Sequence, residues 1–198
     1  GTYIQGYVPL KKLKTVSPAG SYALVIDKQS QTLSVYRQGA LLGQLPVSTG
    51  LMEKNALFQE THAGAFLLEK RERAFTSQGY SYDYPMRFSG GNLLHTVGYK
   101  LRGGVADYGE QTPLLAQKAS HGCVRVPNVG TGAMYWLWST LPRGTKVLIL
   151  DDPLQRAKRL VELGEAPGEY VEVAEDLEAH TAPIQAAEEL PAAPEPLS

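Results

Sequence analysis

Residues 21–50, SYALVIDKQSQTLSVYRQGALLGQLPVSTG, limit the possible folds more than any other stretch of the chain. Apolar residues alternate at Ala23 and Val25 and again at Leu33 and Val35, while DKQSQ and RQGAL between the runs are polar or glycine-bearing. Period-two alternation broken by short turns marks consecutive antiparallel strands and does not suit a helix. The segment reads as a β-meander ending in the strand LLGQLPVSTG. Further strand-like pieces occur at AGAFLLEKRE, YPMRFSG, NLLHTVG and TKVLIL, with glycine dense between them as short turns require. One helix stands out, NVGTGAMYWLWSTLP. Met134, Leu137, Trp138 and Leu141 share a face, Asn128 or Thr131 serves as cap, and Pro142 and Gly144 form the stop. The expected architecture is mainly β with one or two packed helices.

Three regions follow from composition. A chain of 198 residues that is 43% hydrophobic suffices for one packed domain with an appendage. Residues 21–150 read as that domain. Residues 1–20 contain GTYIQGYVPLKKLKT, which resembles the last strands of a bacterial SH3-type domain and equally suits a lone N-terminal strand or linker. Residues 151–198 begin with DPLQRAKRLVELGE, an amphipathic helix through Leu154, Ala157, Leu160 and Val161, and continue as an Ala-, Pro- and Glu-rich tail too poor in apolar material to fold alone. The net charge of -1 conceals a split: residues 1–150 carry 16 Lys and Arg against 8 Asp and Glu, and residues 151–198 carry 3 against 12. The basic body favours an anionic partner such as wall polymer, nucleic acid or lipid headgroup. A nucleic-acid partner is not expected, since neither a recognition helix nor aromatic-basic interleaving is visible. No run of about eighteen apolar residues occurs and no basic-then-apolar leader opens the sequence, so neither a membrane span nor a signal segment is expected within it.

The chemistry centres on KASHGCVRVPN, residues 118–128, which holds the one cysteine of the chain. One cysteine excludes an internal disulfide framework and a cysteine-rich zinc site. A lone thiol is either inert and buried or reactive. In extended chain His121, Cys123 and Arg125 would project to one side, and a core strand seldom carries such a set because an unpaired arginine is costly to bury. Gly122 admits close approach to the backbone, so its N–H and that of Cys123 suit an oxyanion hole. Arg125 offers a planar fork to a substrate carboxylate. Two histidines, His121 and His95, compete as the base, and proximity in sequence favours His121. His62 reads as a loop residue, His180 as solvated in the acidic tail, and Trp136 and Trp138 as helix and core.

These residues resemble a known family. SHGCVR at 120–125 looks like the signature block of the L,D-transpeptidase catalytic domain, and LLHTVG at 93–98 like the upstream histidine segment that accompanies it. The opening meander, THAGAF where the family has a TPTGTF-like run, YPMRFSGG and the closing LPRGTKVLI extend the likeness over roughly residues 21–150. The resemblance implies a mixed β-sandwich or barrel-like fold and a cysteine enzyme acting on peptidoglycan stem peptides, outside the cytoplasmic membrane, without metal or organic cofactor. It makes Cys123 the nucleophile and gives the proton exchange to His95, oriented by the backbone carbonyl of Thr96. His121 then shapes the oxyanion pocket with Ser120 bracing it. Tyr84 and Arg87 are the further substrate-binding candidates beside Arg125. The implied reaction is formation of 3→3 cross-links through a thioester. Hydrolysis of the same thioester, an L,D-carboxypeptidase activity, and a non-catalytic wall-binding module stand as alternatives. The segment TVGYKLRGGVADYGEQTPLLAQKA between His95 and Ser120 is longer than the family pattern and reads as a cover over the cleft.

Overall fold

The computed structural model describes residues 17–165 together with Tyr7, Pro9 and Lys11. The expectations for most of the first 16 residues, for the acidic tail and for His180 lie outside the described residues. In chain order the strands are β1 (Ala19–Asp27), β2 (Thr32–Arg37), β3 (Ala40–Pro46), β4 (Gly64–Leu67), β5 (Lys70–Arg71), β6 (Phe75–Ser77) and β7 (Tyr80–Tyr82). There follow β8 (Met86–Ser89), β9 (Asn92–Thr96), β10 (Lys100–Arg102), β11 (Val105–Asp107) and β12 (Val124–Val126). Helix α1 (Ala133–Thr140), β13 (Thr145–Leu150) and helix α2 (Pro153–Glu162) complete the described chain. The mainly β expectation with two helices holds.

The meander β1–β2–β3 is extended by β13, parallel to β1, and then by β4, giving the order β3-β2-β1-β13-β4. A second sheet has the order β12-β9-β8-β5, with β12 parallel to β9. Leu24, Ile26, Leu33, Val35, Val147 and Ile149 of the first sheet share one core with Phe88, Leu94, Val124 and Val126 of the second and with Met134, Leu137 and Leu141 around α1. Burying side chains of this size stabilises by about 1.5–3 kcal/mol each. That common core fixes β9, which carries His95, and β12, which follows Cys123 and carries Arg125.

The fully buried residues of β1 are Leu24 and Ile26, while Ala23 and Val25, whose alternation marks the strand in the sequence, are half-buried. Both faces of this strand are apolar, so periodicity alone cannot choose the inward one, and a one-residue error inverts the faces. The N-cap of α1 is Gly132, at φ +62°, rather than Asn128 or Thr131, although both side chains still bond the helix start: the Asn128 side-chain oxygen accepts from Tyr135 N at 3.0 Å and Thr131 Oγ1 from Ala133 N at 3.2 Å. Arg71 donates to the carbonyls of Trp138 and Leu141 at the far end of α1, where a cation is favourable.

Helix α2 forms over the expected residues, yet none of its side chains is fully buried. Charge fastens it instead. Arg156 pairs with Glu60 and Asp151, Arg159 donates to the Met52 carbonyl at 2.8 Å, and Lys118 pairs with Asp152. Beneath them the Lys28 ammonium is fully buried, held by Glu60, by Asp151 at 2.8 Å and by the Thr61 carbonyl at 3.0 Å. Among the described residues no helix is long and apolar enough to cross a membrane.

Candidate active site

The parallel pairing of β12 with β9 sets Val124 opposite Leu94 and Arg125 opposite His95. Cys123, immediately before β12, therefore lies alongside the start of β9, and a backbone hydrogen bond from Leu93 reaches its thiol. His95 is buried, with Nδ1 2.7 Å from the Thr96 carbonyl. A carbonyl only accepts, so Nδ1 carries the hydrogen and Nε2 keeps a free lone pair. Burial pulls the imidazole down to about 4, the Thr96 bond opposes this, and the charge of Arg125 adds to it. Burial likewise pushes the Cys123 thiol above its ordinary value, against the Leu93 bond and the charges of Arg125 and Arg87. At neutral pH the resting pair is a neutral thiol and a neutral imidazole.

The segment around Cys123 departs from the extended geometry assumed in reading the sequence. Residues 121–123 are a bend, Gly122 lies at φ +107°, and only Val124–Val126 is strand. His121 is exposed, with its Nε2 3.5 Å from Gln78 Nε2, whereas Arg125 is only 6% exposed. The i, i+2 rule needs extended chain, which the bend and the positive φ at Gly122 interrupt. Ser120 braces the Cys123 carbonyl, not His121. Arg125 bonds the Gln111 side-chain oxygen at 3.0 Å and forms no ion pair among the described residues. Arg87 is engaged by Glu72 at 2.8 Å, close enough to Cys123 for its charge to be felt. Tyr84 packs on Tyr135 and Trp138, with centroids at 5.2 and 5.8 Å.

Other residues, missed in the sequence, complete the surroundings. Tyr82 and Phe75 stack on each other and both meet the His95 ring edge-on, at 4.7 and 5.4 Å. Gly98 leaves room for Tyr82, since a Cβ there would lie 2.9 Å from its ring. In the sequence Tyr80, Tyr82 and Tyr84 alternate within GYSYDYP, and nothing there distinguishes Tyr82 from Tyr84. Asn92 Oδ1 sits 2.7 Å from where a Cβ of Gly122 would be. A Cβ on Gly50 would strike the Gln59 carbonyl and fall 2.8 Å from Gly122 N, so this glycine permits the backbones to meet. The long segment after His95 forms the hairpin β10–β11, with Gly103 and Gly104 at its tip. From there the chain runs on to Gln111, the Arg125 partner. His62 is an exposed loop residue and Trp136 is core, as read from the sequence. Among the described residues no cluster of three or more His, Cys, Asp or Glu could hold a metal ion.

Residues 21–149 match the family model of the L,D-transpeptidase catalytic domain. The fold is similar to that of an L,D-transpeptidase from Mycobacterium tuberculosis H37Rv, at 20% identity over 66% of this chain and 58% of that one, with a TM-score of 0.51. It is also similar to L,D-transpeptidase 3 from Mycobacterium tuberculosis, at 17% identity over 66% of this chain and 61% of that one, again with a TM-score of 0.51. The chain thus spans less than two thirds of the length of these solved structures. No curated protein matches it.

Proposed function

Because the chain belongs to the L,D-transpeptidase catalytic-domain family, we propose that it is a cysteine-dependent peptidoglycan transpeptidase that acts outside the cytoplasmic membrane on tetrapeptide stems. The observation that carries this reading is the strand register that pairs Arg125, two residues after the one thiol of the chain, with His95, whose imidazole is held by a backbone carbonyl, while the buried guanidinium has no carboxylate partner among the described residues. Arg125 takes a carboxylate of the donor stem. The Cys123 sulfur attacks the carbonyl of the third stem residue while its proton passes to His95 Nε2, and the developing oxyanion is met by the N–H groups of Gly122 and Cys123. The tetrahedral centre collapses, the bond to the terminal D-alanine breaks, and His95 returns the proton to the leaving amine. A side-chain amine of a second stem then attacks the thioester, gives its proton to His95, and the thiolate leaves and is reprotonated. The product is a 3→3 cross-link.

An ion pair is not required at rest. Proton transfer is coupled to attack, and the buried imidazolium it creates is transient and stabilised by the Thr96 carbonyl. The test is incubation with tetrapeptide-bearing muropeptides followed by mass analysis. Dimers with released D-alanine support the proposal. Tripeptide without dimers would replace it with a carboxypeptidase, and no product at all would refute catalysis.

A further inference from the structure

We propose that Thr61 is a positioning residue for the oxyanion hole, acting through the peptide group that joins Gly122 to Cys123. Thr61 is fully buried. Its hydroxyl accepts from Gly50 N at 2.8 Å and donates to the Gly122 carbonyl at 2.9 Å. Its own carbonyl accepts from the buried Lys28 ammonium at 3.0 Å. A hydroxyl with both a donor and an acceptor satisfied, on a backbone itself held by an ion cluster, has one orientation.

The consequence follows from peptide planarity. In a trans peptide the carbonyl of one residue and the N–H of the next point in opposite directions. Holding the Gly122 carbonyl onto Thr61 therefore aims the Cys123 N–H, within the same peptide plane, away from Thr61. Neither that N–H nor the one of Gly122 donates to another group among the described residues. Gly122 at φ +107° belongs to the left-handed half of the map, where a loop without side-chain tethers can flip the following peptide. Ser120 fixes the next carbonyl, that of Cys123, so the nucleophile is clamped by one hydroxyl before it and one after. The two clamps lie at either end of the same short bend, and Thr61 is the one that orients an N–H.

This inference rests on the reading of Cys123 as the acylated nucleophile, and its test uses two reactions that separate positioning from folding. Iodoacetamide alkylates the thiol at a saturated carbon and develops no oxyanion. p-Nitrophenyl acetate acylates it through an oxyanion whatever the natural substrate is. Thr61→Val should slow the acylation burst about 100-fold, the scale of losing one oxyanion donor, and leave alkylation within about two-fold. Thr61→Ser should restore the burst. Thr61→Ala, which removes the hydroxyl without pressing a methyl on the Gly122 carbonyl, should behave as Thr61→Val does and covers the case in which valine prevents folding. Equal loss of both reactions, failure of serine to rescue, or an unchanged burst in Thr61→Val and Thr61→Ala would overturn the inference. A wild-type protein acylated by p-nitrophenyl acetate and inert to muropeptides would overturn the proposed substrate and leave the positioning role standing. A wild-type thiol that is alkylated and acylated by neither reagent would overturn both.

Discussion

At His95 burial and the Thr96 carbonyl pull in opposite directions and burial prevails, bringing the imidazole to about 4. Two consequences belong to this residue scale. The Cys123 thiol, pushed up by its own burial, starts protonated. Its alkylation rate is therefore expected to climb with pH and to be still rising past about pH 9. A plateau already established below neutrality would reveal a standing thiolate-imidazolium pair and contradict the neutral resting state. The second consequence concerns stability. The folded-state value lies below the ordinary 6.5, so as pH falls the unfolded chain takes up the proton first. The contribution is complete above 6.5, is lost between 6.5 and about 4, and amounts to about 3 kcal/mol. Urea unfolding of wild type against His95→Gln should show this acid limb flattened in the variant. Parallel pH dependence would mean that His95 is not held neutral. Cys123 was legible in the sequence because a single thiol is a rare, chemically marked residue, whereas His95 was preferred over His121 only through the family resemblance. Thr61, Gly50 and Tyr82 were not legible, because their roles arise from contacts between distant segments.

At the scale of elements, the site depends on how α2 and the segment 50–62 are joined to β1. Lys28, at the end of β1, is the common partner of Glu60, Asp151 and the Thr61 backbone. Removing the cation leaves Glu60 buried beside Arg156 alone, and breaking a buried pair in this way costs about 3–5 kcal/mol. Lys28→Met is expected to lose that much stability in chemical unfolding and to slow acylation through Thr61. Full stability in that variant would show the cluster to be dispensable. The amphipathic spacing of Leu154, Ala157, Leu160 and Val161 made α2 legible as a helix but not its mode of docking, since ion pairs between residues 28, 60, 151 and 156 leave no periodic trace. The bend at 121–123 was misread for a related reason. Spacing rules presume a regular backbone, and Gly122 at φ +107° abandons it.

For the molecule as a whole, the two sheets and α1 share a core whose strands were largely visible as apolar runs. The order in which they pair was not. The parallel neighbours β1–β13 and β9–β12 join segments far apart in sequence, and it is the second pair that sets the segment after Cys123 beside the strand of His95. The family match ends at residue 149, whereas the ion cluster reaches Asp151 and Arg156. A chain ended at Leu150 is accordingly expected to melt several degrees below the full chain, about 4–8 °C per kcal/mol lost for a domain near 100 residues and less for a larger one. An unchanged melting temperature would make α2 an ornament of the domain. Acylation of the thiol is the step on which the proposed chemistry depends. It is tested most directly by rapid-quench incubation with a tetrapeptide-bearing muropeptide and peptide mapping by mass. The account predicts a donor tripeptide joined to Cys123 with one D-alanine released per adduct, and neither in Cys123→Ala. Release of D-alanine that persists in Cys123→Ala, or that occurs with Cys123 unmodified, would contradict it.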